Sequence, residues 1–221
     1  MDPIPDDHPY VREFEELVSA LPDAIAHDFA RSLEIYESTQ DDPFARRLVV
    51  RAVISYVEGQ MAAIREQLLF FHHYLTDPEK AELVPEAAAM AAKLNLHFSV
   101  KDYFTLAGKS LKEIKRGITT PRDENLCVEE TIKFLFRLHG SVYDHSITPT
   151  EEADGWRSLN EVKQKRNQLT HPKCAADLDV TQEQARMAIV VFIWMRGYLN
   201  RIREVESAKW KAIYEEFVGK D

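Results

Sequence analysis

An all-α antiparallel helical bundle is the fold class this sequence predicts, and three observations predict it. Long stretches carry apolar residues three and four positions apart, the stripe of a helix buried on one face. Only 7 glycines occur among 221 residues, few for the turns of a many-stranded sheet. Asp-Pro and Thr-Pro pairs recur ahead of the apolar stretches, where a capping side chain followed by proline starts a helix. A hydrophobic content of 45% is enough for a real core without disulfides or metals as staples.

The elements follow in order. Residues 1–8 read as a frayed tail and 9–38 as helical pieces, with Pro22 restarting the second. Asp42-Pro43 opens a long helix to about Tyr74, striped by Phe44, Leu48, Val53, Val57, Met61, Ile64, Leu68 and Phe71. Asp77-Pro78 opens an alanine-rich helix ending near Asn95. Ser99 with Asp102 forms a capping-box-like start, and that helix is expected to carry Leu111 and Ile114 before Gly117 stops it. Thr120-Pro121 starts a helix to Gly140, and Thr148-Pro149 another, interrupted at Gly155, that ends near Thr170. Thr181 with Gln184 opens the last helix, to about Val218. Apolar nearly all round from Ala185 to Leu199, it is expected at the centre of the bundle. With no internal repeat, the chain divides into an N-terminal helical extension over 1–40 and a bundle domain over 41–221.

Charge and cysteine usage narrow the setting. A net charge of −9 makes a poor general binder of nucleic acid, so any RNA must meet a local basic patch. The two cysteines, Cys127 and Cys174, offer no disulfide framework. The acidic, proline-broken start is unlike a signal peptide, and the most apolar run, Met187 to Met195, is short of the roughly 20 residues a membrane helix needs. A cytoplasmic protein without a membrane span is the expectation.

One stretch carries chemistry. Lys163-Gln164-Lys165-Arg166-Asn167-Gln168-Leu169-Thr170-His171-Pro172-Lys173 holds four Lys and Arg side chains and no carboxylate. Such a cluster attracts phosphate, although basic residues also suit a helix C-terminus simply by complementing its dipole. Pro172 disfavours helical geometry at His171, so the helix should end near Thr170. An unbroken helix would set Arg166 and His171 about 140° apart, at roughly 100° per residue. A break frees the imidazole to swing toward the arginine. Histidine gives and takes protons near neutrality, and arginine grips phosphate with a planar fork. Cleavage of RNA by its own 2′-hydroxyl needs both.

Arg166, Asn167 and His171 resemble the R-x(4–6)-H motif of the HEPN superfamily, in which a polar residue commonly follows the arginine. The resemblance covers roughly residues 43–210 in architecture and 166–171 in detail. It implies an antiparallel helical bundle, usually dimeric, with the motif at a helix end and one long helix after it. It further implies a metal-independent endoribonuclease that needs no cofactor, of the kind found in toxin–antitoxin, phage-defence and RNA-processing systems. Two motifs would face each other across a homodimer axis. Arg166 would stabilise the scissile phosphate, His171 act as general base or acid, and Asn167 hold the phosphate or the loop. Lys163, Lys165 and Lys173 would contact RNA, and an antitoxin or regulatory protein is a further partner. The family also includes inactive members that bind or dimerise, and a non-catalytic module is the alternative reading.

Glu58 lies close to the apolar stripe of the long helix. It either orients Arg166 or a neighbouring polar group, or is an ordinary surface glutamate. Other candidates carry less. His171-Pro172-Lys173-Cys174 has no second Cys/His pair at zinc spacing, so no metal is expected. His72 and His73 point about 100° apart on a helix and chelate poorly. Lys109, Lys112, Lys115 and Arg116 read as a solvated helical face, and Trp156 and Trp194 as core.

Overall fold

The computed structural model describes residues 12, 20–77, 88–89, 91–115, 118–123, 126–151 and 153–218. The described chain is all-α, with six α-helices, one 3₁₀ turn and a single two-stranded hairpin. No described helix is long and apolar enough to cross a membrane. The expected tail over 1–8 and most of the alanine-rich helix after Asp77 lie outside the described residues.

Helix α1 (Leu21–Ser38) has Pro22 in its first turn, where a missing N–H costs nothing, and buries Pro22, Phe29, Ser32 and Tyr36. Helix α2 (Pro43–Thr76) starts where Asp42 Oδ1 accepts the Phe44 N–H at 2.8 Å. Its stripe of Val53, Val57, Met61, Ile64, Leu68 and Phe71 is buried, while Phe44, in the first turn, stays 58% exposed.

Helix α3 (Val100–Leu106) begins at the Ser99 cap, whose Oγ accepts the Asp102 N–H at 3.0 Å. It does not continue to Gly117. Gly108, at φ +70°, turns the chain through the left-handed region that stops helices, nine residues earlier than expected. Strands β1 (Lys109–Lys115) and β2 (Ile118–Asp123) follow as an antiparallel pair. Leu111 and Ile114 fit a helical stripe by spacing, and Thr120-Pro121 looks like a helix start. Pro121 instead lies opposite Leu111 in the ladder, and Ile118-Thr119-Thr120 is the β-branched run that favours extended chain. Lys109, Lys112 and Lys115 are therefore strand residues, not a helical face.

Helix α4 (Val128–Tyr143) starts where the Cys127 N–H donates to Glu130 at 3.2 Å, and it runs past Gly140 to Asp144, a left-handed cap at φ +60°. Helix α5 (Asp154–Thr170) starts later than Thr148-Pro149 suggests, and Gly155 belongs to its first turn. A Cβ at Gly155 would collide with the Trp194 ring, so the glycine is there for close approach, not as an interruption. After the 3₁₀ turn Ala175–Leu178, helix α6 (Gln182–Val218) opens with the reciprocal Thr181–Gln184 box, both hydrogen bonds being 3.1 Å. Its buried residues Ala185, Ala188, Val191, Met195, Leu199 and Ile202 form a stripe. The helix expected at the centre of the bundle leaves part of its apolar surface open, with Ile193 64% and Val190 40% exposed.

Two compact units result. One holds Glu16–Ala63 with Ile147–Glu204; the other holds Met1–Glu15, Ile64–Ser146 and Val205–Asp221. The boundary expected at residue 40 does not coincide with this division. In the first unit Phe29 of α1 stacks on Phe192 of α6, with ring centroids 4.2 Å apart, beside Tyr56 of α2. Leu21–Ser38 is thus core to the unit that carries the motif. In the second, Phe71 of α2 packs on Trp210 of α6 at 5.1 Å.

Candidate functional site at the end of helix α5

Helix α5 buries Trp156, Leu159, Val162 and Leu169 along one face. Arg166 sits one turn beyond Val162, and its side chain is half-buried, 32% exposed. There Glu58 of α2 meets it, Arg166 Nη2 donating to Glu58 Oε2 at 3.1 Å. Arg166 Nη1 also donates to Asn167 Oδ1 at 3.4 Å. A half-exposed ion pair of this kind contributes about 0–1 kcal/mol to stability, so its value lies in where it holds the guanidinium.

The helix ends as its sequence dictates. Thr170 Oγ1 donates back to the Arg166 carbonyl at 2.8 Å, and the His171 N–H donates to the Asn167 carbonyl at 3.0 Å. His171 takes the cap position at φ −129°, ψ 63° and is exposed. Among the described residues no hydrogen bond or ion pair reaches its imidazole. Glu58, Arg166 and Asn167 are therefore brought together, while His171 stands outside that network at the exit of the helix.

A second arginine completes the helix end. Arg51 Nη2 donates to the Leu169 carbonyl at 2.7 Å, satisfying an otherwise unpaired carbonyl and placing a positive charge at the negative end of the helix dipole. Arg51 and Glu58 are seven residues apart, two turns along one face of α2. That helix thus holds the motif helix at two points.

The lysines divide. Lys173 is exposed, and Lys163 is partly exposed. Lys165 is only 6% exposed, in register with Val162 and Leu169, so the open phosphate contact expected of it is not available; its long apolar stem belongs to the buried face. The patch is also not carboxylate-free once folded. Glu58 arrives from α2, and Asp177 of the 3₁₀ turn accepts the Lys173 N–H at 2.7 Å and the Cys174 N–H at 3.2 Å. The Lys173 N–H chiefly, then that of Cys174, holds the Asp177 carboxyl below the usual carboxylate range, and the Lys165 charge acts the same way.

Two members of this site escaped sequence reasoning. Asp177 had a local signal, since it lies three residues after Cys174, the spacing of a capping side chain. Arg51 had one only through Glu58, as its two-turn neighbour on α2. Elsewhere, Trp156 is core as expected, 5% exposed, and meets the partly buried Trp194 edge-on at 5.8 Å. His72 Nδ1 lies 3.2 Å from the Leu96 carbonyl rather than beside His73, and its proton affinity is lowered by burial. Comparison with protein-family models, curated proteins and solved structures returned no match for the chain.

Proposed function

We propose that this protein is a metal-independent endoribonuclease of the HEPN type, acting in a toxin, phage-defence or RNA-processing setting. One arrangement carries the reading: an arginine anchored by a carboxylate, followed on the same helix end by a histidine open to solvent. In the proposed reaction the 2′-oxygen of a ribose forms a bond to the adjacent phosphorus and the P–O5′ bond breaks. A base takes the 2′-hydroxyl proton and an acid returns one to the departing 5′-oxygen. The products are a 2′,3′-cyclic phosphate and a free 5′-hydroxyl.

Arg166 neutralises the crowded phosphate, and Glu58 positions it. His171 transfers protons. Asn167 holds either the phosphate or the exit loop, and Lys163 and Lys173 contact flanking phosphates. Each chain offers one His171, so a homodimer supplies both proton-transfer groups. Cleavage of RNA in EDTA tests this, with wild type compared against Arg166→Ala and His171→Ala and the 3′ ends examined for cyclic phosphate. Equal cleavage by all three proteins overturns the assignment.

A non-catalytic interaction module related to the same family is the second reading. It draws on a specific observation: Glu58 already neutralises Arg166, and Lys165 is buried. That reading expects folded variants in which partner binding, with no cleavage, is what changes.

A further inference from the structure

The second compact unit holds a buried polar cluster that the proposed reaction does not use. His139, on the last turns of α4, is 1% exposed. Its Nδ1 lies 2.8 Å from Nε2 of His145 in the exit loop. Its Nε2 has no hydrogen-bond partner and faces Glu206 Oε2 of α6 at 3.7 Å. From α4 itself Tyr143 stacks on the His139 ring at 4.4 Å and donates its hydroxyl to Glu206 Oε1 at 3.2 Å. From α2 the neutral Gln67 amide donates to the same Oε1. Gly140 lets the loop fold back: a Cβ there would lie 2.5 Å from the His145 carbonyl oxygen. The His145 N–H in turn donates to the Gly140 carbonyl at 3.0 Å.

The protons in this cluster can be assigned by elimination. A bare Nε2 lone pair on His139 aimed at the Glu206 carboxylate would be repelled, so Nε2 carries the hydrogen. Nδ1 of His139 is then the acceptor and His145 Nε2 the donor. Tyr143 remains a donor, because burial foremost and then the Glu206 charge push its ionisation far up. One further proton on the pair still leaves a single hydrogen between the two rings. A second must occupy His139 Nδ1, where it would meet the His145 hydrogen across 2.8 Å.

We infer that the His139–His145 contact is a proton-limited latch on the α4 exit, closed while the two rings share one hydrogen and opened when acid adds a second between them. Burial, then the His139 charge, keeps His145 harder to protonate than a free histidine. The sign follows. The unfolded chain takes up a proton on each ring as pH falls through about 6.5, whereas the latched pair takes one and refuses the second. Stability from the latch is therefore present above that pH and lost below it.

The test is a titration of assigned histidine ring signals by NMR in the full chain, with hydrogen exchange at the His145 amide followed in parallel. The His145 ring should titrate below the ordinary value of about 6.5, and His145 amide protection should vanish as acid opens the contact. A His145 ring titrating at the ordinary value, with its amide still protected in acid, would overturn the latch. His145→Gln, which keeps an N–H donor but cannot be protonated, should give a melting temperature that falls less between pH 7 and pH 5 than wild type. An unchanged slope counts equally against it.

Discussion

Helices α4 and α5 each carry a histidine at or near the C-terminal end, and the two ends differ in almost every physical respect. At the end of α4, His139 is buried, ring-stacked on Tyr143 and held 2.8 Å from His145. At the end of α5, His171 is exposed, and among the described residues its imidazole has no hydrogen-bond partner. The carboxylates differ in the same way. Glu206 receives Tyr143 and Gln67 inside a core, whereas Glu58 meets Arg166 at a half-exposed edge. Burial turns the same side chains into structure in one place and leaves them open for chemistry in the other.

The widest separation between the two ends should be in activity. His171→Ala should lower RNA cleavage in EDTA by roughly 10²–10⁴-fold, the range of a lost proton-transfer group, Arg166→Ala by roughly 10²–10³-fold, the range of a lost charge-stabilising donor, and His171→Ala should shift stability by no more than about 0.5 kcal/mol. His139→Ala should do the reverse, costing about 2–4 kcal/mol in urea unfolding through a cavity and unpaired neighbours, with little change in cleavage per folded molecule. A His139 variant as stable as wild type would erase the contrast.

Gly140→Ala probes the α4 end without touching a titratable group. The added methyl meets the His145 carbonyl, so a loss of about 1–3 kcal/mol is expected in chemical unfolding. The smallest effect belongs to Glu58→Gln. Its exposed pair should contribute less than about 1 kcal/mol and fade with salt. Melting temperatures of wild type and Glu58→Gln should therefore converge as salt is raised, and a gap that persists in high salt would show that Glu58 is held by more than charge.

Much of this architecture is legible because it depends on local chemistry. The Asp42 cap, the Ser99 cap and the Thr181–Gln184 box each span three or four residues, and each forms where it is written. The end of α5 at Thr170 follows from Pro172 for the same reason. Strands Lys109–Lys115 and Ile118–Asp123 are not legible by spacing, because two apolar residues three apart satisfy a helix as well as a short strand, and Gly108 is the local mark of the change.

By itself the sequence determined the helical class, most helix starts and the position of Arg166 and His171 at a helix terminus, since spacing, caps and proline act within a few residues. Tertiary structure alone decided what those residues meet. Glu58 lies 108 positions from Arg166 along the chain and Arg51 118 from Leu169. Lys165 is buried because it shares a face with Val162 and Leu169, and Ile193 is exposed because nothing described covers it. Charge screening, burial and proton affinity are set by neighbours in space. The motif's electrostatic setting, a basic run that regains two carboxylates on folding, could therefore emerge only once the helices were packed.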